Sequence, residues 1–167
     1  MSLTIREAAD EDRPAILKIV EAAFARADEA AIVEKLWADD AIALDLVAEM
    51  NGAPVGHCAF SPVTADPSLK GALLGMAPVS VAPDHQNKGV GAAMIETGID
   101  YCRSRGASLL VVLGEPHYYS RFGFEPASAK NIRWDAMDAG DAFQLIDFAS
   151  LTETPQRTIR YHDAFYG

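Results

Sequence analysis

Cysteine is scarce in this chain, whose 167 residues include only Cys58 and Cys102. The two lie far apart and form no CxxC pair, which excludes a disulfide framework and is typical of a reducing compartment. The four histidines show no metal-ligand spacing, and no serine stands in a GxSxG setting. We therefore expect a cytoplasmic protein that holds no metal and is not a serine hydrolase.

Long apolar runs and basic residues are also lacking. No run reaches the roughly 18–20 apolar residues that span a bilayer, so no membrane partner is expected. Glu7 stands where a signal peptide needs its apolar core, so export is not expected either. The chain has 14 basic and 24 acidic side chains, a net charge of −10, which argues against nucleic acid and favours a neutral or cationic substrate. Any anionic ligand must then be held by a local positive field.

The residues that are present follow the patterns of an ordinary globular chain, with 50% apolar and 23% charged side chains. Apolar alternation and continuous apolar runs predict strands over 3–7, 44–50, 55–60, 72–81, 109–113, 144–148 and 158–161. Helical periodicity predicts helices from about 13 to 24, 29 to 38 and 89 to 104, and a short one over 117–122. Asp12 is the expected N-cap of the first helix, and Asn51-Gly52 predicts a hairpin turn.

This order of elements predicts an α+β, sandwich-like fold in one domain over residues 1–167. A mixed, mainly antiparallel twisted sheet of about seven strands is expected, flanked by helices, with one strand–helix–strand crossover.

The turn that opens the long helix is a candidate anion site. The first four N–H groups of a helix have no partner within it, and the helix dipole puts roughly +0.5 charge at that end. Glycine there lets the backbone approach a ligand closely. The residues concerned are Gln86, Asn87, Lys88, Gly89, Val90, Gly91 and Ala92.

Two commoner phosphate loops fail on spacing. The chain has no GxxxxGK[ST] string, and Met94 stands where a dinucleotide fingerprint needs its third glycine or alanine. By itself the turn fits a plain helix start as well as an anion site.

The turn belongs to a longer pattern, Val79-Ser-Val81-Ala-Pro83 followed by Gln86-x-x-Gly89-x-Gly91. This stretch resembles the acyl-CoA-binding motif of the GNAT superfamily of N-acetyltransferases, which is Val-x-Val-x-Pro followed by Q/R-x-x-G-x-G/A at a helix start. Downstream, Tyr119-Ser-Arg-Phe-Gly123-Phe124 is similar to the family's Y-x-x-x-G-F segment.

The resemblance implies a GNAT fold, acetyl-CoA as co-substrate, and a monomer or homodimer. The backbone of Val79, Ser80 and Val81 would pair with the pantetheine arm, and the N–H groups of residues 86–92 would hold the pyrophosphate. Tyr119 would be the general acid that protonates the leaving thiolate, with Tyr118 as its competitor. A phenol with a pKa near 10 is protonated at neutral pH and suits this role.

The chain departs from the family in two places. The position of the family's asparagine, seven residues before the tyrosine, is Val112, and the position of a base glutamate found in some members is Gly75. The amine must still lose a proton, and Glu115 is the first candidate to accept it. His117, Glu49 and His57 are alternatives, and Glu115 also suits a helix cap.

The activity implied is transfer of an acetyl group to a primary amine of a small molecule or peptide. The alternative is a non-catalytic acyl-CoA sensor. The aromatic C-terminal tail either closes over an acceptor pocket, meets a partner subunit or completes a sheet edge.

Overall fold

The computed structural model describes residues 2–167. The strands are β1 (Leu3–Glu7), β2 (Leu44–Met50), β3 (Ala53–Pro62), β4 (Thr64–Asp66), β5 (Leu73–Val81), β6 (Leu109–Leu113), β7 (Glu125–Pro126), β8 (Ile132–Trp134), β9 (Phe143–Asp147) and β10 (Arg157–Arg160). The α-helices are α1 (Arg13–Phe24), α2 (Asp28–Ala38), α3 (Val90–Ser104) and α4 (Pro116–Tyr119). Single-turn 3-10 helices lie at Asp10–Asp12, Pro83–His85, Ser120–Phe122, Ala127–Lys130, Gly140–Ala142 and Asp163–Tyr166.

Seven strands form the main sheet in the order β1-β2-β3-β5-β6-β9-β7. Its pairs are antiparallel except for β5 and β6, which are joined through α3 and run parallel. The hairpin between β2 and β3 turns at Asn51 and Gly52, both with positive φ (53° and 82°), as a tight two-residue hairpin loop requires. The predicted mixed, mainly antiparallel sheet of about seven strands is therefore confirmed.

Alternate residues of β2 belong to two different hydrophobic cores, one on each face of the sheet. Leu46 and Ala48 pack with the buried face of α3, whereas Val47 between them packs with α1 and α2 through Ile16 and Val33. Because successive side chains of a strand point to opposite faces, α3 covers one face of the sheet and α1 with α2 the other.

The strands β5 and β6 separate after a short parallel stretch. Leu73, Leu74 and Gly75 pair with Leu109, Leu110 and Val111, but β5 then continues to Val81 paired only with β3 in the described part of the chain. Cys58 pairs with Val79 and Phe60 with Met76, so the register shifts between these two pairs. Over this stretch β5 has one residue more than β3, as in a β-bulge. The result is a wedge between two buried strands, open at the end where α3 begins.

Three short elements were not predicted. Between the predicted strands at 55–60 and 72–81 lies β4, which joins β10 and β8 in a separate three-stranded sheet. Neither β8 nor the two-residue β7 was expected. Strands of two or three residues are too short for alternation to be visible in a sequence.

Asp12 is the N-cap residue of α1, as predicted, but its side chain makes no capping hydrogen bond to that helix. Its carboxylate accepts from the backbone N–H of Ala9 at 2.7 Å and from Arg6 at 2.7 and 2.8 Å. The side chain therefore closes the preceding 3-10 turn and pairs with β1.

Candidate active site

The turn before α3 has the backbone shape that its glycine suggested. Asn87 and Gly89 have positive φ (61° and 83°), and the first α-helical bond runs from the N–H of Ala93 to the carbonyl of Gly89. The N–H groups of Val90 and Gly91 precede that first bond and, with that of Ala92, belong to the unpaired first turn of the helix. These groups line a cavity of about 630 Å³ at the open end of the wedge, which we name the turn cavity.

Two polar residues of this segment, Lys88 and Gln86, differ in their relation to the turn cavity. Lys88 is exposed and is not among the described residues that line the turn cavity. Gln86 does line it, but its side-chain amide donates to the carbonyl of Val81 at 3.0 Å. The side chain of Gln86 thus braces the end of β5 against the turn, while Asn87 and Ala92 complete the lining.

The end of β5 presents alternate residues to the turn cavity. Val79 and Val81 line it, whereas Ser80 between them is 1% exposed and lies opposite His57 of β3. The Ser80 hydroxyl has no hydrogen-bond partner. Ser80 therefore contributes its backbone, but not its side chain, to the open edge of the strand.

Tyr118 and Tyr119 stand together on α4, with ring centroids 5.0 Å apart and planes at 89°. Both line the turn cavity, and Tyr118 lies against Gly91 at the start of α3. Tyr119 also lines a neighbouring cavity of about 290 Å³, the side cavity, which shares Phe24 and Val79 with the turn cavity. Tyr119 therefore stands at the border of the two cavities.

Burial raises the pKa of Tyr119 above the ordinary value for tyrosine. The ring packs edge-to-face on Phe124, with centroids 5.6 Å apart. The phenol is consequently a neutral proton donor throughout the physiological range of pH.

The short loop before α4 is fixed by a residue that the sequence did not single out. Gln144 is 1% exposed, and its amide donates to the carbonyl of Gly114 at 3.2 Å. Its strand partner is Val112, the position of the expected asparagine, which is 1% exposed in β6. An amide at the start of an apolar strand was the available signal, but its partner is 30 residues away.

The candidate bases are dispersed. Glu115 is exposed at the N-cap of α4, where its carboxylate accepts from the N–H of His117 at 3.2 Å, and it is not among the described residues lining either cavity. Glu49 is bound to Arg6 at 2.5 Å. His57 is fully buried and hydrogen-bonded to Asp45.

Gly75 has no room for a side chain. A Cβ there would lie 2.9 Å from Cε2 of Tyr161 and 3.0 Å from a methyl group of Val63. The Tyr161 ring, 5% exposed, thus occupies the space that a carboxylate at residue 75 would need. The tail that carries Tyr161 contains β10, which is the central strand of the small sheet and not the expected edge, and it supplies Phe165 to the lining of the side cavity.

Within residues 2–167, no group of three or more His, Cys, Asp or Glu side chains is arranged to hold a metal ion. Over the same residues, no helix has the length and apolar character needed to cross a membrane.

Comparison with known proteins gives one consistent result. A family model described as an acetyltransferase (GNAT) domain matches residues 4–127. The chain is 32% identical over 159 residues to the uncharacterized N-acetyltransferase YhbS of Escherichia coli K12, over 92% of this chain and 93% of that protein.

Two solved structures are similar over nearly the whole chain. The crystal structure of E. coli YhbS in complex with CoA has a TM-score of 0.90 at 30% identity, over 99% of this chain and 92% of that one. A GNAT family acetyltransferase from Brucella melitensis in complex with acetyl-CoA has a TM-score of 0.82 at 36% identity, over 98% of both chains.

Proposed function

The chain belongs to the GNAT family of acetyltransferases, and from this we propose that it transfers the acetyl group of acetyl-CoA to a primary amine by direct attack, with Tyr119 as the proton donor. The observation that carries the proposal is the position of Tyr119, which lines both the anion-binding turn cavity and the side cavity.

The first turn of α3 suits a pyrophosphate. The N–H groups of Val90, Gly91 and Ala92 have no acceptor within the helix, and the dipole adds positive potential. Hydrogen bonds to a charged group contribute about 1.5–3 kcal/mol each, so a few of them offset the repulsion from a net charge of −10. Lys88 lies on the same turn and adds positive potential at longer range.

The open edge of β5 suits an extended amide-bearing arm. Beyond Gly75 the strand has no β6 partner among the described residues, so the main-chain groups of Val79 to Val81 are available on that side. Pairing of this kind is strand addition, in which the backbone supplies the affinity. The arm would lie in the wedge and direct the thioester towards Tyr119.

Tyr119 then supplies the proton that the leaving sulfur needs. The amine nitrogen forms a bond to the acetyl carbonyl carbon, the carbon–sulfur bond breaks, and the phenol proton passes to the thiolate. The phenol of Tyr119 carries its proton at neutral pH, and the tyrosinate that the transfer leaves regains a proton from solvent. The amine passes its own proton to a water molecule. We propose that Glu115, which lines neither the turn cavity nor the side cavity, accepts the proton from that water.

Release of free thiol from acetyl-CoA tests the activity. With a panel of primary amines, thiol and acetylated amine should appear at equal rates. A chain that binds CoA tightly but releases no thiol across the panel would instead be an acyl-CoA sensor, and the proposal would be wrong.

A further inference from the structure

The side cavity is apolar with one charged group in its lining. Its walls come from Phe24 at the end of α1, Ile32 of α2, Leu113 at the end of β6 and Phe165 of the C-terminal turn. The charged residue is Glu29, in the first turn of α2. Among the described lining residues there is no lysine, arginine or histidine.

Two of the apolar side chains that line the side cavity, Phe24 and Leu113, are exposed to solvent. Phe24 is 37% and Leu113 36% exposed, although both are large hydrophobic residues. They come from separate elements, the end of α1 and the end of β6, and converge on one cavity. Exposed apolar groups that converge on a cavity of this kind mark a ligand site rather than incomplete packing.

Glu29 is held in one orientation. Its side chain is 14% exposed, and its two oxygens accept from Arg26 at 2.8 and 2.5 Å. The hydrogen bonds from Arg26 lower the pKa of Glu29, so the carboxylate is ionised at neutral pH. A carboxylate has about four lone-pair sites, so it can still accept from an ammonium beside the two hydrogen bonds from Arg26, whose charge offsets part of its own.

Resting on the proposed function, we infer that the acceptor is a small monoamine with an apolar, preferably aromatic body. Phe24, Ile32 and Phe165 would hold the body, and Glu29 would attract the ammonium group into the cavity. The neutral fraction of the amine then attacks at the border formed by Tyr119 and Val79. At about 290 Å³ the cavity is at the lower end of ligand sites, roughly 300–1,000 Å³, which favours a small acceptor.

Other amine classes fit the walls less well. The carboxylate of a free amino acid would meet Glu29 and find no cation among the described lining residues. A polyamine carries several cationic groups, and only one of them could pair with the carboxylate of Glu29. A peptide brings amide groups that the apolar walls would leave without hydrogen bonds, which is costly.

The acceptor class is tested by acetyl transfer to matched amines. Phenethylamine, spermidine, phenylalanine and methylamine are compared in kcat/KM, with thiol release as the signal. We expect phenethylamine to exceed each of the others by about tenfold or more. Turnover that favours spermidine or phenylalanine would overturn the acceptor class and leave the proposed function intact. No turnover with any amine would overturn both.

Variants separate recognition from stability. Glu29→Gln should raise KM for phenethylamine about tenfold with kcat little changed, and the effect should shrink at high salt. Ile32→Ser should lower kcat/KM for phenethylamine about tenfold and leave methylamine within about twofold. The control is Glu34→Gln, an exposed residue of the same helix that is outside the described lining. Equal losses for both amines in Ile32→Ser, or a loss in Glu29→Gln that does not shrink with salt, with CoA binding retained, would mean that these residues only support the fold, and would contradict the inference.

Discussion

Gly114 lies directly against the ring of Tyr119: a Cβ on Gly114 would come within 2.4 Å of Cε2 of that ring. Real Cβ atoms essentially never approach so closely, so the aromatic side chain has its position only because residue 114 has none. Gln144 holds the same residue from the other side through its carbonyl, at 3.2 Å. The placement of the proposed acid therefore depends on a glycine and a buried amide that do not contact the cavities themselves.

Gly114→Ala is expected to lower kcat by displacing the Tyr119 ring. A shift of about 1 Å at a catalytic group can cost about a hundredfold in rate. The measurement is a double-mutant cycle with Tyr119→Phe, which removes the hydroxyl. If Gly114 acts through that hydroxyl, the loss from Gly114→Ala should largely disappear in the Tyr119→Phe background. Additive losses would contradict this account.

Gly75→Glu is expected to destabilise the protein and not to supply a base. The new side chain would meet Tyr161, whose Cε2 is 2.9 Å from the ideal Cβ position. Overpacking of this kind costs about 1–3 kcal/mol in the free energy of unfolding. Thermal unfolding of Gly75→Ala isolates the steric cost, and that cost should be smaller when the same change is made in the Tyr161→Ala background. A faster enzyme from Gly75→Glu would show that the space is adaptable.

Gly89→Asp should weaken CoA binding relative to Gly89→Asn. Gly89 has φ +83° and no atom within 4 Å of an ideal Cβ, so both side chains have room, and both tolerate the left-handed region better than most. The two variants differ by one negative charge beside the pyrophosphate. We expect a Kd about tenfold higher for the aspartate at low salt, converging with the asparagine as salt rises. Equal affinities would place the pyrophosphate elsewhere.

The pH profile should lack a falling limb from the proposed acid below about pH 10, the ordinary pKa of tyrosine. Burial raises the pKa of Tyr119, and a raised pKa keeps the phenol protonated to higher pH. The rate at subsaturating amine should instead rise with pH, because only about one lysine-like amine in 2,500 is neutral at pH 7. If kcat decreases as the pH is raised towards 9, and this decrease disappears in Tyr119→Phe, the phenol ionises at a lower pH than its burial implies.

The backbone shape of the turn before α3 could be predicted from the sequence, because its pattern is local. The turn at Gln86–Gly91 follows from glycine spacing at a helix start, and the Tyr119 segment stands near it in the family's order. The side cavity could not be predicted, since Phe24, Glu29 and Phe165 come from the two chain ends and meet only in the fold. The sequence indicates that residue 75 lacks a carboxylate. It does not indicate that the ring of Tyr161, 86 residues away, fills the space that a side chain there would need.

Comparison of Tyr119→Phe with Tyr118→Phe tests the central claim most directly. The quantity is kcat for thiol release from acetyl-CoA at saturating amine, with the Kd for CoA measured alongside. If Tyr119 protonates the leaving thiolate, Tyr119→Phe should lower kcat by about 10²–10⁴ and leave the Kd within about twofold, whereas Tyr118→Phe should retain most of the activity. Full activity of Tyr119→Phe, or a larger loss from Tyr118→Phe, would contradict the account.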